Sequence, residues 1–309
     1  MILCAGEALI DMLPRESRAG EPCFAPKPGG AIFNTAIALG RLGAPVSLFT
    51  GLSRDLFGTL LERALAGAGV ATGLAVRSDR PTTLAFVELT DGQARYAFYD
   101  EATAHRLISV ADLPDAASLT QVQAAFFGGI SLAVEPCASA YDALMARLAP
   151  TTLTMLDPNI RPDFVDDEPA FRDRIGAMIG RADILKLSDE DLAWLLGPGD
   201  ATDQARALIE RGPRLVCITK GAEGVTAHHR AGHLHVDAPR ATVVDTVGAG
   251  DTFNAGLLAG LHEAEALGKA WLDAPDEDVL EDALRLGVAA AAVTVGRAGA
   301  DPPSRAELP

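Results

Sequence analysis

The chain has 309 residues, of which 49% are hydrophobic and 22% charged, and its formal net charge is −16. That length and apolar content are enough for a full buried core and exclude a disordered or fibrous protein. The acidic balance argues against nucleic acid or an anionic membrane surface as a partner, so any anionic ligand must be held by local features.

The first strand signal, residues 2–5, opens the chain with no basic leader ahead of it. Further short apolar runs fall at 46–50, 124–127, 152–156, 184–187 and 215–219, and amphipathic helical patterns lie between them at 55–68, 136–148, 171–179 and 203–211. This alternation predicts right-handed βαβ units, a mostly parallel sheet covered on both faces, and ligands at the carboxyl ends of its strands. One region breaks the pattern: residues 82–89 and 93–99 read as two strands joined through Thr90-Asp91-Gly92, a hairpin that belongs to a separate small sheet. The longest apolar run, around 288–295, is too short to span a bilayer. Cys4, Cys23, Cys137 and Cys217 lie far apart with no C-x-x-C pair and read as reduced packing residues. Together these features predict a cytoplasmic protein.

His228, His229, His233 and His235 flank Arg230-Ala231-Gly232, a turn, and match no recognised zinc spacing. An exposed hairpin is the more economical account of them than a metal site. Asp157-Pro158-Asn159-Ile160-Arg161 follows a strand, and Arg161 is either a charged fork aimed at a ligand or a plain surface ion pair.

Asp245-Thr246-Val247-Gly248-Ala249-Gly250-Asp251 carries the strongest chemical signal. Thr242-Val243-Val244 before it reads as a short strand, and the small and apolar residues 252–261 after it read as a helix. At such a junction Gly248, Ala249 and Gly250 present unpaired N–H groups as an anion cradle, with phosphate the expected guest. An acid inside an anion site is costly unless it has work to do, and Asp251 as a general base accepting a hydroxyl proton supplies that work. The pattern describes a kinase acting on an alcohol. Neither G-x-G-x-x-G nor G-x-x-x-x-G-K-[ST] occurs, so the phosphate site is of another type.

This stretch resembles the C-terminal D-T-x-G-A-G-D signature of the ribokinase-like (PfkB) carbohydrate kinases, and Gly29-Gly30-Ala31-Ile32-Phe33-Asn34-Thr35-Ala36 resembles the N-terminal G-G-x-x-x-N-x-A signature of the same family. The resemblance implies a ribokinase-like three-layer α/β sandwich, with a core at 1–10, 29–78 and 107–309 and a β lid at 11–28 and 79–106. It implies a homodimer through that lid, and ATP and Mg²⁺ as cofactors, with K⁺ left open. Within the family, bacterial fructokinases are the most similar group. D-fructose converted to fructose 6-phosphate is then the expected reaction; 2-keto-3-deoxygluconate, ribose and nucleosides remain as alternative substrates, and a catalytically inactive sugar- or nucleotide-binding regulator as the non-enzyme alternative.

By the same resemblance, Asp11, Gly29, Gly30, Asn34, Phe98 and Arg161 are expected at the sugar, and Arg161 also at the transferred phosphate. Lys186-Leu187-Ser188-Asp189-Glu190-Asp191 occupies the slot of the N-x-x-E motif. There Lys186 and Ser188 are expected near nucleotide and Asp191 near magnesium through water, with Glu190 as another register and helix capping by Ser188 as the plain reading. Thr219, Lys220, Gly221 and Gly224 resemble the nucleotide loop, or form a simple glycine turn. The helix around 286–295 and residues 296–300 resemble the adenine wall and monovalent-cation loop, with Asp245 as a cation ligand. Many relatives carry arginine where Asp100 stands, so Asp100 is expected to disfavour an acid sugar by charge repulsion.

Overall fold

The computed structural model describes residues 1–90 and 93–308, so Asp91 and Gly92 of the expected hairpin turn lie outside the described residues. Strand β1 (Ile2–Ala5) is followed by β2 (Leu9–Glu16) and β3 (Pro22–Gly29), then α1 (Ala31–Arg41), β4 (Val46–Phe49), β5 (Gly51–Ser53), α2 (Leu56–Gly67) and β6 (Val76–Ser78). Next come β7 (Leu84–Thr90), β8 (Gln93–Tyr99), β9 (Ala124–Gly128), α3 (Cys137–Leu148), β10 (Leu153–Asp157), α4 (Glu168–Ile179), β11 (Ile184–Ser188), α5 (Asp189–Leu196) and α6 (Ala201–Arg211). The chain finishes through β12 (Leu215–Thr219), β13 (Val225–His229), β14 (Gly232–Val236), α7 (Ala249–Glu263), α8 (Lys269–Asp273) and α9 (Glu277–Val295).

Local chemistry sets many of these boundaries. Asp55, Asp167, Asp200 and Asp276 each precede a helix and accept its first free N–H groups, which is why α2, α4, α6 and α9 start where they do. In β1, Ile2 and Cys4 point into one apolar layer and Leu3 and Ala5 into the other. β12 divides in the same way, with Leu215 and Cys217 on one face and Val216 and Ile218 on the opposite one. A strand buried on both faces is what the continuous apolar runs require.

Among the described residues the large sheet has the order β14-β13-β12-β11-β10-β9-β1-β4, parallel from β12 to β4 and closed at the other edge by the antiparallel pair β13 and β14. Helices α1, α2, α7 and α9 cover one face, and α3 to α6 the other. The result is a three-layer α/β sandwich. A separate four-stranded sheet, β3-β2-β7-β8, stands at the carboxyl edge of the large one, because β1 runs straight on through Gly6-Glu7-Ala8 into β2.

Four local expectations change. Thr242–Val244 is not a strand: Val243 is 63% exposed, no strand among the described residues pairs with it, and the Val244 N–H donates to Val295 O at 2.8 Å at the end of α9. β-branched composition without a pairing partner does not make a strand. Helix α7 begins at Ala249 rather than Thr252, which brings Asp251 into its first turn. Cys23 is exposed on β3, whereas the other three cysteines are buried. The histidines do form a hairpin, but His228 and His229 are buried and only His233 and His235 are exposed, because α6 packs over β13. Among the described residues no group of three or more His, Cys, Asp or Glu is arranged to hold a metal ion. No helix among them is long and apolar enough to cross a membrane.

Candidate active site

The carboxyl ends of β1, β9, β10, β11 and β12 share one edge, with Asp157 in register with Gly128 and Ser188 in register with Thr219. A cavity of about 470 Å³ opens there, between that edge, α1, the start of α7 and the small sheet. It brings together Asp11, Gly30, Asn34, Phe98, Arg161, Gly248, Gly250 and Asp251, residues that the sequence spreads over 240 positions.

Gly248 is the N-cap of α7 with φ of 79°, a left-handed conformation that a side chain resists, and a Cβ there would meet Ala300 at 2.6 Å. The first-turn N–H groups of Gly250 and Asp251 have no acceptor within the helix and face the cavity, an arrangement suited to a phosphoryl oxygen. Behind them, a Cβ on Gly250 would lie 3.1 Å from Lys186 Nζ, so a buried ammonium backs the cradle.

Asp251 is 7% exposed, and its Oδ2 accepts a hydrogen bond from Asn34 Nδ2 at 2.9 Å. Burial pushes its pKa up to about 7; the hydrogen bond from Asn34 and the charge of Lys186 pull it down, and the charges of Asp157 and Glu7 push it up. A carboxylate poised there is matched to proton transfer near neutral pH. The backbone is fixed as well, since Thr35 Oγ1 donates to Asp251 O at 3.2 Å.

Underneath lies a buried polar network in which only Asn254 Oδ1 is left without a partner among the described residues. Asp157 Oδ2 accepts from Lys186 Nζ at 3.0 Å and from Asn254 Nδ2 at 2.7 Å, all three side chains being buried. Burial lowers the Lys186 pKa, but Asp157, Asp191 and Asp251 outweigh it and hold the ammonium charged. Lys186 therefore supports the cradle from below and does not extend into solvent as a free nucleotide contact.

On the opposite wall Asp11, in β2, has its pKa raised by burial to about 6, and the side chain of Gly29 must be absent for it to fit. Phe98 of β8 meets Phe164, edge to face, with ring centres 4.6 Å apart, joining the small sheet to the 158–165 loop. Arg161 stands exposed on this loop and donates to Ile160 O at 3.0 Å. Asp191 is structurally engaged: Oδ2 accepts from Ser188 N and Oγ in a capping box, and Oδ1 accepts from Ile160 N at 2.8 Å. Glu190, next to it, is exposed.

Thr219, Lys220, Gly221 and Gly224 do not line this cavity; they end β12 further along the same edge, with Lys220 N donating to Gly224 O at 2.9 Å. Asp245 accepts from Val247 N at 3.0 Å and Gly299 N at 2.9 Å, tying two loops beside the start of α7. Asp100 departs from its expected role. It is buried, pairs with Arg106 at 2.7 Å and lies outside the cavity, so its charge is already matched and does not face a ligand. Glu7 and Asn254 carry no expectation from the sequence, and Asp157 stands there only as the head of the motif that ends in Arg161. For Glu7 the available signal was a lone acid inside the apolar run from Ile2 to Ile10.

Fold and site together have the form of a phosphotransferase: an α/β core whose α7 N-terminus offers open N–H groups beside a buried carboxyl group, faced by a small β sheet. Residues 1–307 match the pfkB family carbohydrate kinase profile, and the chain belongs to that family of carbohydrate kinases. It is 50% identical over 282 residues to a fructokinase of Rhizobium leguminosarum bv. trifolii, covering 91% of this chain and 86% of that protein. Among solved structures, the fructokinase with bound ATP from Xylella fastidiosa superposes with a TM-score of 0.87 at 31% identity, covering 100% of this chain and 94% of that one. Aminoimidazole riboside kinase from Salmonella enterica, complexed with aminoimidazole riboside and an ATP analog, gives 0.83 at 25% identity, covering 100% and 96%.

Proposed function

We propose that this carbohydrate kinase transfers the γ-phosphoryl group of ATP to the 6-hydroxyl of D-fructose. The observation that carries the reading is Asp251, a buried base held by Asn34 at the mouth of an anion cradle. In the reaction the Asp251 carboxylate takes the hydroxyl proton as the sugar oxygen bonds to the γ-phosphorus. The bond from that phosphorus to the β–γ bridging oxygen breaks, and ADP leaves. The open N–H groups of Gly250 and Asp251 and the Lys186 charge behind them stabilise the charge that develops on the phosphoryl oxygens, whereas the Ala249 N–H, expected in the cradle, is taken by Thr246 O at 3.3 Å. Phe98 and Phe164 wall the cavity against water, which favours transfer to the sugar over hydrolysis.

Magnesium would be held as a hydrated ion by the exposed Glu190 at the start of α5, with Asp191 acting only through water because both its oxygens already accept protein donors, and it would supply neutralisation of phosphate charge. Asp245 is the corresponding candidate for potassium. Among the described residues lining the cavity, Glu7 is taken up by the start of α1 and by Ser131, which leaves three acids, Asp11, Asp163 and Asp251, against one cation, Arg161. That balance, rather than Asp100, favours a neutral ketohexose over 2-keto-3-deoxygluconate.

The outer face of the small sheet carries Phe24, Phe86 and Tyr99 in edge-to-face contact, with Phe24 48% and Tyr99 64% exposed. Such a row suits a second copy of the chain, so the small sheet serves as both lid and dimer contact. Free cysteines, among the described residues, accord with a cytoplasmic setting.

The test is coupled ADP release with fructose, 2-keto-3-deoxygluconate, ribose and a nucleoside, with and without magnesium and potassium. Fructose is expected to give the highest kcat/KM. Equal or better use of the acid sugar overturns the assignment.

A further inference from the structure

Glu7 is 1% exposed and sits in the turn between β1 and β2, where none of the reaction steps touches it. Helix α1 has glycine at its N-cap, no side-chain cap of its own and no acid in its first turn. Its free N–H groups are taken up from far away in sequence. Glu7 Oε1 accepts from Ala31 N at 2.9 Å and Ile32 N at 3.4 Å, and the Glu7 carbonyl accepts from Phe33 N at 3.2 Å. Oε2 accepts from Ser131 Oγ and, at 3.3 Å, from Ser131 N in the turn after β9. Gly129 packs so closely on this carboxylate that a Cβ there would collide with Oε1.

One side chain thus binds three segments that all line the cavity: the β1–β2 turn, the first turn of α1, and the turn after β9. One turn further along α1 stands Asn34, which holds Asp251. We propose that Glu7 is a positioning residue, a remote cap that fixes the N-terminal turn of α1 and through it sets Asn34 against the base and the sugar wall. It also separates the two helix N-termini that face this cavity. The one of α1 is filled by a carboxylate and cannot take an anion, whereas the one of α7 stays open, so the phosphoryl group has a single place to dock. The inference rests on the sugar-kinase reading of the cavity.

The test uses Glu7→Gln, which keeps the size of the side chain but replaces an acceptor oxygen with an N–H₂ group that opposes an amide donor. Assays run well below the Tm of each variant, on whichever sugar of the panel gives the highest turnover. The KM for sugar is expected to rise at least about tenfold while the KM for ATP stays within about twofold. A residue that merely stabilises the fold moves neither. Glu7→Gln combined with Asn34→Ala is expected to be no worse than the poorer single variant, because both act through the same turn. Unchanged sugar KM, parallel shifts in both KM values, or multiplying effects overturn the proposal. The same cycle read by urea unfolding needs no substrate: additive changes in stability count equally against the coupling. If fructose fails but another sugar turns over, the fructose reading falls while this test proceeds on that sugar.

Discussion

The carboxyl group of Asp251 is held above its ordinary range mainly because it is buried, while Asn34 and Lys186 pull against the charges of Asp157 and Glu7. The sign of the pH dependence follows. The base acts only when ionised, so kcat/KM should fall as pH drops through about 7, and Asp251→Asn should lose about 10²–10⁴-fold in kcat and with it the acidic limb of the profile. A variant that keeps more than about a tenth of kcat would contradict the role. Stability moves the other way. Because the folded-state pKa is raised above that of the unfolded chain, ionisation disfavours folding as pH rises, and Asp251→Asn should raise Tm more at pH 8 than at pH 5. Asp11, raised to about 6 by the same cause, should add a loss of stability that accrues as pH rises from its ordinary carboxylate value to about 6 and is complete above it.

At the scale of the element, the start of α5 shows how a motif slot can be structural as well as chemical. Ser188 and Asp191 form a reciprocal cap, and Asp191 also satisfies the buried Ile160 N–H of the loop that carries Arg161. Asp191→Ala should therefore cost about 2–4 kcal/mol, a lost cap of about 1 plus an unsatisfied buried donor of about 1–3, measured by urea unfolding. If the residue only ordered magnesium through water, unfolding would be unaffected and the loss would appear only in the magnesium dependence. Helix α7 gives the converse case. Its true start, three residues earlier than its composition suggested, is set by the left-handed Gly248, and this places Asp251 over the cradle rather than before it.

For the whole molecule, the two sheets divide the work. The large sheet fixes the cradle and the polar network of Asp157, Lys186 and Asn254; the small one brings Asp11 and Phe98 across the cavity and turns an aromatic row outward. Tyr99→Glu would place a charge in that row and should convert a dimer into a monomer at micromolar concentration by analytical ultracentrifugation. A wild-type protein that is already monomeric there would remove the dimer from the proposal.

The sequence by itself determined the sandwich, because unbroken apolar strands alternating with amphipathic helices have few other ways to bury both sheet faces. It also singled out Gly248 to Asp251 as the candidate cradle and base, since glycines and an aspartate at a helix start announce their chemistry locally. Tertiary structure alone decided what depends on partners distant in the chain. Thr242–Val244 had the composition of a strand but no ladder to join. Asp100 looked like a charge facing a substrate until Arg106 was found beside it. Glu7, unremarked between two apolar runs, became the cap of α1 only when Ala31, Ile32 and Ser131 were folded around it, because a buried carboxylate takes its meaning from the donors that surround it.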